Sequence, residues 1–180
     1  MPTVNRVLDH EIIIATTKEH IQQCLDVRIQ VFHHEQKFPL ETEIDELLAS
    51  LRLVDRTAAT HFLLRLLPSL QPVGTIRGVR LSENYYKLGR LAVLDQYRQF
   101  KFGRELVLRL HEWVKIDASP MATMPEHDVY AIVVSHSQIP VKGFYAKFGY
   151  IPEGAEFDED DAPHQKMVLQ LPLIAPKTSD

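Results

Sequence analysis

Apolar positions along the chain switch between short strand-like runs and the spacing of a helix face. Val7–Ala15 carries the β-branched run Ile12-Ile13-Ile14 and predicts a first strand. Thr16 followed by Glu19 gives a capping-box pattern. Behind it Ile21, Cys24, Leu25, Ile29 and Phe32 predict an amphipathic helix over 17–34, with Cys24 on its core face. Past Pro39, the positions of Ile44, Leu47, Leu48 and Leu51 predict a shorter helix to about Val54. The apolar runs His61–Leu67 and Val73–Leu81 flank a gap with proline at both ends, which suggests a hairpin. Ser82–Tyr86 reads as a second turn and Lys87–Leu94 as another strand. From Gly103, the spacing of Leu106, Val107, Leu110, Trp113 and Val114 predicts a helix through about Ile116, and Asp117–Asp128 reads as a surface loop. Val129–Ser135 is almost wholly apolar, as in a strand buried on both faces. Ser137–Lys147 then predicts a helix with Pro140 in its first turn, and Gly149 suits its C-terminal end. A short strand, an acidic loop from Glu156 to Asp161, a final strand Gln165–Leu171 and a proline-punctuated tail complete the pattern.

No repeat or composition break divides the chain, so one domain over 1–171 with a frayed tail at 172–180 is the economical reading. An antiparallel meander followed by strand–helix units implies a mixed α/β sheet covered by helices. At 180 residues, 45% apolar and 24% charged, the chain can bury a core without metal or cross-links. Cys24 is the single cysteine, which excludes an internal disulfide and a zinc site of paired thiolates. No run approaches the roughly 18 apolar residues of a membrane span, and the N-terminus lacks the layout of a signal peptide. A cytosolic or nuclear location and no membrane partner are therefore expected. A formal charge of −4 also disfavours a nucleic-acid partner.

The most informative segment is Leu88–Arg104. An apolar strand enters a short polar turn holding Arg98, Gln99 and Lys101, and Gly103 opens a helix. A helix N-terminus offers unpaired N–H groups and partial positive charge, which favour phosphate oxygens. The alternative is a strand–turn–helix with solvated cations.

This segment resembles motif A of the GNAT acetyltransferase superfamily, Q/R-x-x-G-x-G/A, with Arg98 first and Gly103 last. Phe144-Tyr145-Ala146-Lys147-Phe148-Gly149-Tyr150 is similar to the F-Y-x-K-x-G-F/Y signature that follows the last helix of that family. Arg28, Val31, Phe32, Glu35 and Gln36, followed by Pro39, Glu41, Glu43 and Asp45, resemble the N-terminal signature of its ElaA/YjcF-like branch, as Asp160-Asp161-Ala162-Pro163-His164 resembles the end of that branch. The resemblance implies a GNAT fold: a mixed central sheet with an antiparallel N-terminal meander, splayed between the two strands that flank the motif-A helix, and helices on both faces. It implies acetyl-CoA as cosubstrate and no metal. The diphosphate would meet the turn of Arg98, Gln99, Phe100, Lys101, Phe102, Gly103 and Arg104, and the pantetheine arm the strand Leu91-Ala92-Val93. The chain departs from the pattern at Lys101, where the family has its first glycine. A side chain there crowds the phosphates if the backbone must be glycine-like; its ammonium could equally contact them.

Acetyl transfer to an amine requires a neutral nucleophile, a donor for the developing oxyanion and an acid for the leaving thiolate. The resemblance implies direct attack in a ternary complex, with a backbone N–H of the Leu91–Val93 strand as oxyanion donor. Tyr145, a phenol protonated at neutral pH in the tyrosine position of the signature, is the expected acid; packing under the helix is the other reading. His136, directly after the buried strand, is the expected base; the alternatives are a histidine tying down the strand end, a water chain, or a carboxylate such as Glu35. Glu35, Gln36, Asp45, Asp160 and His164 are expected at the acceptor by their places in the branch signatures. The expected acceptor is the primary amine of a small molecule: an amino sugar such as glucosamine, a polyamine or an amino acid. A protein lysine acetyltransferase and a non-catalytic acyl-CoA sensor are the competing readings, and the resemblance leaves room for a homodimer. His33-His34-Glu35 and His111-Glu112 lack the second histidine of H-E-x-x-H, which argues against a zinc hydrolase.

Overall fold

The computed structural model of the chain describes residues 8–43, 59–118 and 130–173. Helix α1 spans Lys18–Arg28, and Thr17, in extended conformation, accepts the His20 N–H at 3.1 Å. The cap is therefore Thr17, one residue later than the Thr16 of the predicted box; such a cap contributes about 1 kcal/mol. Beyond Arg28 the helix widens into a π-helical stretch, Ile29–Glu35. Residues 40–43 are helical and are labelled α2. The helix predicted from Ile44 to about Val54 lies outside the described residues, as does most of the loop expected after Asp117.

Strands β1 (His10–Ile14), β2 (Ala59–Leu66), β3 (Pro72–Ser82), β4 (Tyr85–Val93), β5 (Tyr130–Gln138), β6 (Ile151–Glu159) and β7 (Ala162–Pro172) form one sheet in the order β1-β2-β3-β4-β5-β7-β6. β1 and β2 are antiparallel, from His10↔Leu66 to Ile14↔Phe62. The five- and two-residue connections to β3 and β4 are too short for parallel crossovers, so the first four strands are the expected meander. Asn84 turns the second hairpin at a φ of 55°. Helix α3 (Phe102–Ala118) then leads to β5, which runs parallel to β4 from Tyr85↔Ile132 to Leu88↔Ser135. β7 lies antiparallel between β5 and β6. The sheet is mixed, as the alternation of elements predicts.

The chain divides into two compact units. One holds Thr60–Arg77 and Arg90–Arg109 with the N-terminal segment. Its interior contains Cys24, Leu25, Val27, Phe62, Leu64, Ile76, Ala92, Phe102 and Leu106, all buried. Cys24 Sγ donates to the Phe62 carbonyl at 3.8 Å, and burial pushes the thiol up to about 11, so this cysteine is a packing residue. The other unit holds Gly78–Gly89 and the chain from Leu110 onward. Tyr86, Leu88, Val114, Val133, Tyr150 and Met167 are buried in it. Gly78 is required by close packing there, since a Cβ would lie 2.7 Å from the Trp113 ring.

Two predicted elements are corrected. The helix expected over Ser137–Lys147 is shorter: Ser137 and Gln138 end β5, Ile139–Val141 makes a 3₁₀ turn, and α4 is only Lys142–Ala146. The ladder with β7 claims the first two residues as far as Gln138↔His164, and Pro140 has no N–H to continue it. The acidic loop is also replaced. Glu156, Phe157, Asp158 and Glu159 belong to β6, and only Asp160 and Asp161, at φ 54° and 59°, make the turn into β7.

Candidate active site

In the first unit, β4 ends in Leu91, Ala92 and Val93, the last two buried. Arg90, just before them, sits at a φ of 50°, a left-handed kink within the strand. Its Nε lies 3.2 Å from Glu43 Oε1, while Glu43 Oε2 takes the Arg28 guanidinium at 2.6 Å. Glu43 and Arg28 are each 3% exposed. A buried carboxylate thus sits between two guanidiniums at the strand that the resemblance assigns to the donor.

Asp95–Phe100 forms a 3₁₀ helix that ends on Lys101, at φ 63° and ψ 17°. The backbone there is left-handed, a conformation glycine adopts freely and lysine only at a cost of about 1 kcal/mol. Arg104 and Glu105 donate to the Lys101 carbonyl at 2.9 and 3.3 Å, so Lys101 caps α3. The N–H groups of Phe102 and Gly103, which open α3, come too early to have an intrahelical acceptor. Gln99, Lys101 and Arg104 are exposed around this turn, Phe100 is half-buried and Phe102 is buried. Main-chain donors, a 17-residue helix and two exposed cations suit a diphosphate.

Arg98 is engaged differently from the other turn cations. Its Nη1 and Nη2 donate to the two Glu35 oxygens, both at 2.7 Å, its Nε donates to the Val93 carbonyl at 3.0 Å, and Nη1 reaches Asp95 at 3.2 Å. These hydrogen bonds hold the Glu35 carboxyl below the usual carboxylate range. Two residues expected at different ligands therefore meet each other, and the end of the π-helical stretch is fastened to the motif-A turn. Gln36 follows, exposed, with its N–H on the Val31 carbonyl at 3.0 Å. Asp45 lies outside the described residues.

In the second unit, Tyr145 is buried on α4 and hydrogen bonded to Ser135. Burial pushes the phenol up, only partly offset by Ser135, so it carries its proton at neutral pH. Tyr150 packs edge-on behind it at 5.7 Å and shares a 2.9 Å hydrogen bond with His111 Nε2. Burial holds the His111 imidazole down to about 4.

His136 sits on β5 with its Nδ1 2.7 Å from Glu159 Oε2 and 3.3 Å from Lys87 Nζ. Phe157 meets its ring edge-on at 4.9 Å and also stacks, at 6.2 Å, on His164. His164 is buried, with Nδ1 2.8 Å from the Ala162 carbonyl, and Asp160 turns the adjoining hairpin. Four strands thus bring Lys87, His136, Phe157, Glu159 and His164 together. Lys87, Phe157 and Glu159 are not among the residues chosen from sequence. Their signal was the two-residue spacing of Phe157 and Glu159, which puts both on one face of a strand and means nothing in a loop. Among the described residues, no group of histidine, cysteine and carboxylate side chains could hold a metal ion.

The chain matches the family described as "Acetyltransferase (GNAT) domain" over residues 41–171. It is 31% identical over 155 residues to a Bacillus subtilis (strain 168) protein named as an acetyltransferase, covering 86% of this chain and 92% of that one. It is 27% identical over 157 residues to the N-acetyltransferase YjcF of the same organism, covering 87% and 96%. The solved N-acetyltransferase structure from Lactobacillus plantarum superposes with a TM-score of 0.71 at 24% identity, covering 91% of this chain and 99% of that one. That superposition matches the fold the motifs imply.

Proposed function

Since this chain belongs to the GNAT acetyltransferase family, we propose that it transfers the acetyl group of acetyl-CoA to the primary amine of a small molecule, by direct attack in a ternary complex. Acetyl-CoA supplies the activated acyl group and a thiolate leaving group. Phe102 and Gly103 hold its diphosphate through main-chain N–H groups, with the Lys101 and Arg104 cations beside them. A backbone N–H of the Leu91–Val93 strand donates to the developing oxyanion. Tyr145 gives its proton to the departing sulfur. His136 takes the proton of the acceptor's ammonium through Nε2.

The observation that carries this reading is the arrangement of Ser135 and His136. Successive strand residues face opposite sides of a sheet, so the Tyr145–Ser135 pair and the His136–Glu159 pair serve different faces of β5. The β4–β5 ladder ends at this level, at Leu88↔Ser135. Ser135, which holds Tyr145, and the adjacent His136 both lie where the pairing of β4 with β5 ends, which supports reading the two as the proton-handling groups of one reaction. Cys24 is fully buried, which favours direct attack over a cysteine-bound intermediate. Two carboxylates of β6 stand with cations: Glu159 lies with Lys87 around the imidazole and Glu153 pairs with Lys166 at 2.7 Å.

Thermal melting with coenzyme A and acetyl-CoA, combined with thiol release across amino sugars, amino acids, polyamines and a lysine peptide, tests the proposal. Stabilisation by both, with thiol release on a small amine, supports it. Stabilisation without thiol release from any amine would point to an acyl-CoA sensor, and turnover of the peptide alone to a protein acetyltransferase. Absence of both responses overturns the reading.

A further inference from the structure

We propose that Glu159 is a positioning residue for His136, fixing the imidazole as the Nδ1–H tautomer so that Nε2 keeps the lone pair that receives the acceptor's proton. The inference rests on the function proposed above and adds a residue to it. An imidazole nitrogen has one in-plane position, filled by either a proton or a lone pair. Glu159 Oε2 lies 2.7 Å from His136 Nδ1, and a carboxylate can only accept, so Nδ1 carries the proton. Lys87 Nζ, 3.3 Å from the same nitrogen, competes for it in the opposite sense, because an ammonium can only donate. Without Glu159, Lys87 would impose the other tautomer and place a proton on Nε2. The side chain at 159 therefore decides which nitrogen is basic.

The surroundings agree with this assignment. Among the described residues Nε2 has no hydrogen-bond partner, and the His136 side chain is 31% exposed. Phe157, edge-on at 4.9 Å, restricts rotation of the ring. The charged and titratable groups facing it are Lys87 from β4, Lys166 and His164 from β7, and Glu159 from β6. Lys166 is the register partner of His136 but is held by Glu153 at 2.7 Å. His164 is turned to the Ala162 carbonyl at 2.8 Å. Among the described residues, Glu159 is thus the only acceptor on Nδ1. In the proton transfer the acceptor's N–H bond breaks, its electron pair stays on nitrogen, and the proton binds Nε2. The resulting imidazolium is stabilised by Glu159 and returns the proton to solvent after turnover.

The test uses the full chain and the variant Glu159→Gln, which keeps the shape of the side chain and removes its charge. A proton–nitrogen correlation spectrum of the imidazoles, assigned with His136→Gln, reads the tautomer without any need for turnover. The expected result is an Nδ1–H tautomer in the wild type, lost in Glu159→Gln. With the amine found by the thiol-release screen, kcat falls about a hundredfold, the acetyl-CoA KM is unchanged, and the acid limb of the pH–rate profile is displaced. An Nε2–H tautomer in the wild type, or Glu159→Gln turning over like the wild type with the same pH profile, overturns the proposal. If no amine is turned over, the catalytic reading fails while the spectrum still decides whether Glu159 sets the tautomer.

Discussion

Ser135 and His136 are adjacent on β5 and serve opposite faces of the sheet, one holding the Tyr145 phenol and the other held by the Glu159 carboxylate. The separation gives each candidate proton-handling residue its own environment. Tyr145 is buried, and burial keeps it protonated; His136 is a third exposed and open to exchange with solvent.

Tyr145→Phe removes one hydroxyl and leaves the ring packed against Phe144 and Tyr150. We expect kcat to fall about a hundredfold or more, with the melting temperature lowered by no more than the loss of one hydrogen bond, about 1 kcal/mol. Steady-state kinetics and a thermal melt separate the two effects. Unchanged kcat would remove Tyr145 from the mechanism and leave it as a packing residue beneath the helix.

Lys101 occupies a left-handed position that glycine adopts freely. Lys101→Gly should relieve about 1 kcal/mol of backbone strain, partly offset by the greater freedom of glycine in the unfolded chain. The melting temperature is therefore expected to stay level or rise slightly. If the ammonium touches the diphosphate, the acetyl-CoA KM rises severalfold at the same time, and that rise shrinks with added salt. A KM that instead falls would show that the lysine only crowds the site.

How far the sequence carries depends on whether a signal is local. The alternation of elements, the meander and the burial of Cys24 follow from periodicity and from loops too short for crossovers. The turn of Arg98–Gly103 is legible because its residues are contiguous. The Arg98–Glu35 clasp is not: the sequence assigns its two members to different ligands, since nothing in the chain says that residues 63 positions apart share a hydrogen bond. Glu159 was lost for another reason. Acidic, glycine-containing β6 is mostly exposed, so it lacks the apolar alternation that marks a strand, and pairing with β7 overrides its composition.

The Glu43 carboxylate joins Arg28 and Arg90 where neither it nor Arg28 reaches water. Removing one charge from such a buried group costs about 3–5 kcal/mol. Glu43→Gln should therefore lower stability by that amount in chemical denaturation. Because Arg90 forms the kink directly before Leu91, the variant should also raise the acetyl-CoA KM. A stable variant with wild-type KM would show that the kink holds itself.

His111 makes the acid side of the stability profile predictable. Burial among Tyr150, Phe148 and their neighbours holds its pKa down to about 4, against 6.5 for the free side chain. The unfolded chain takes up the proton first, so the contribution of neutral His111 is fully present above pH 6.5 and is lost as pH falls through about 4. The loss amounts to about 3 kcal/mol. His10 works in the opposite direction. Burial disfavours its charged form, but hydrogen bonds to the Leu8 carbonyl and to Glu105, with the nearby Glu105 and Asp9 charges, outweigh that and raise its pKa above 6.5. Its contribution is fully present below pH 6.5 and fades as pH rises through the raised value. Melting temperatures across this range should show a steep acid limb that flattens in His111→Gln, and a shallower decline on the alkaline side that disappears in His10→Gln. An acid limb unchanged in His111→Gln would mean that other groups carry the acid sensitivity.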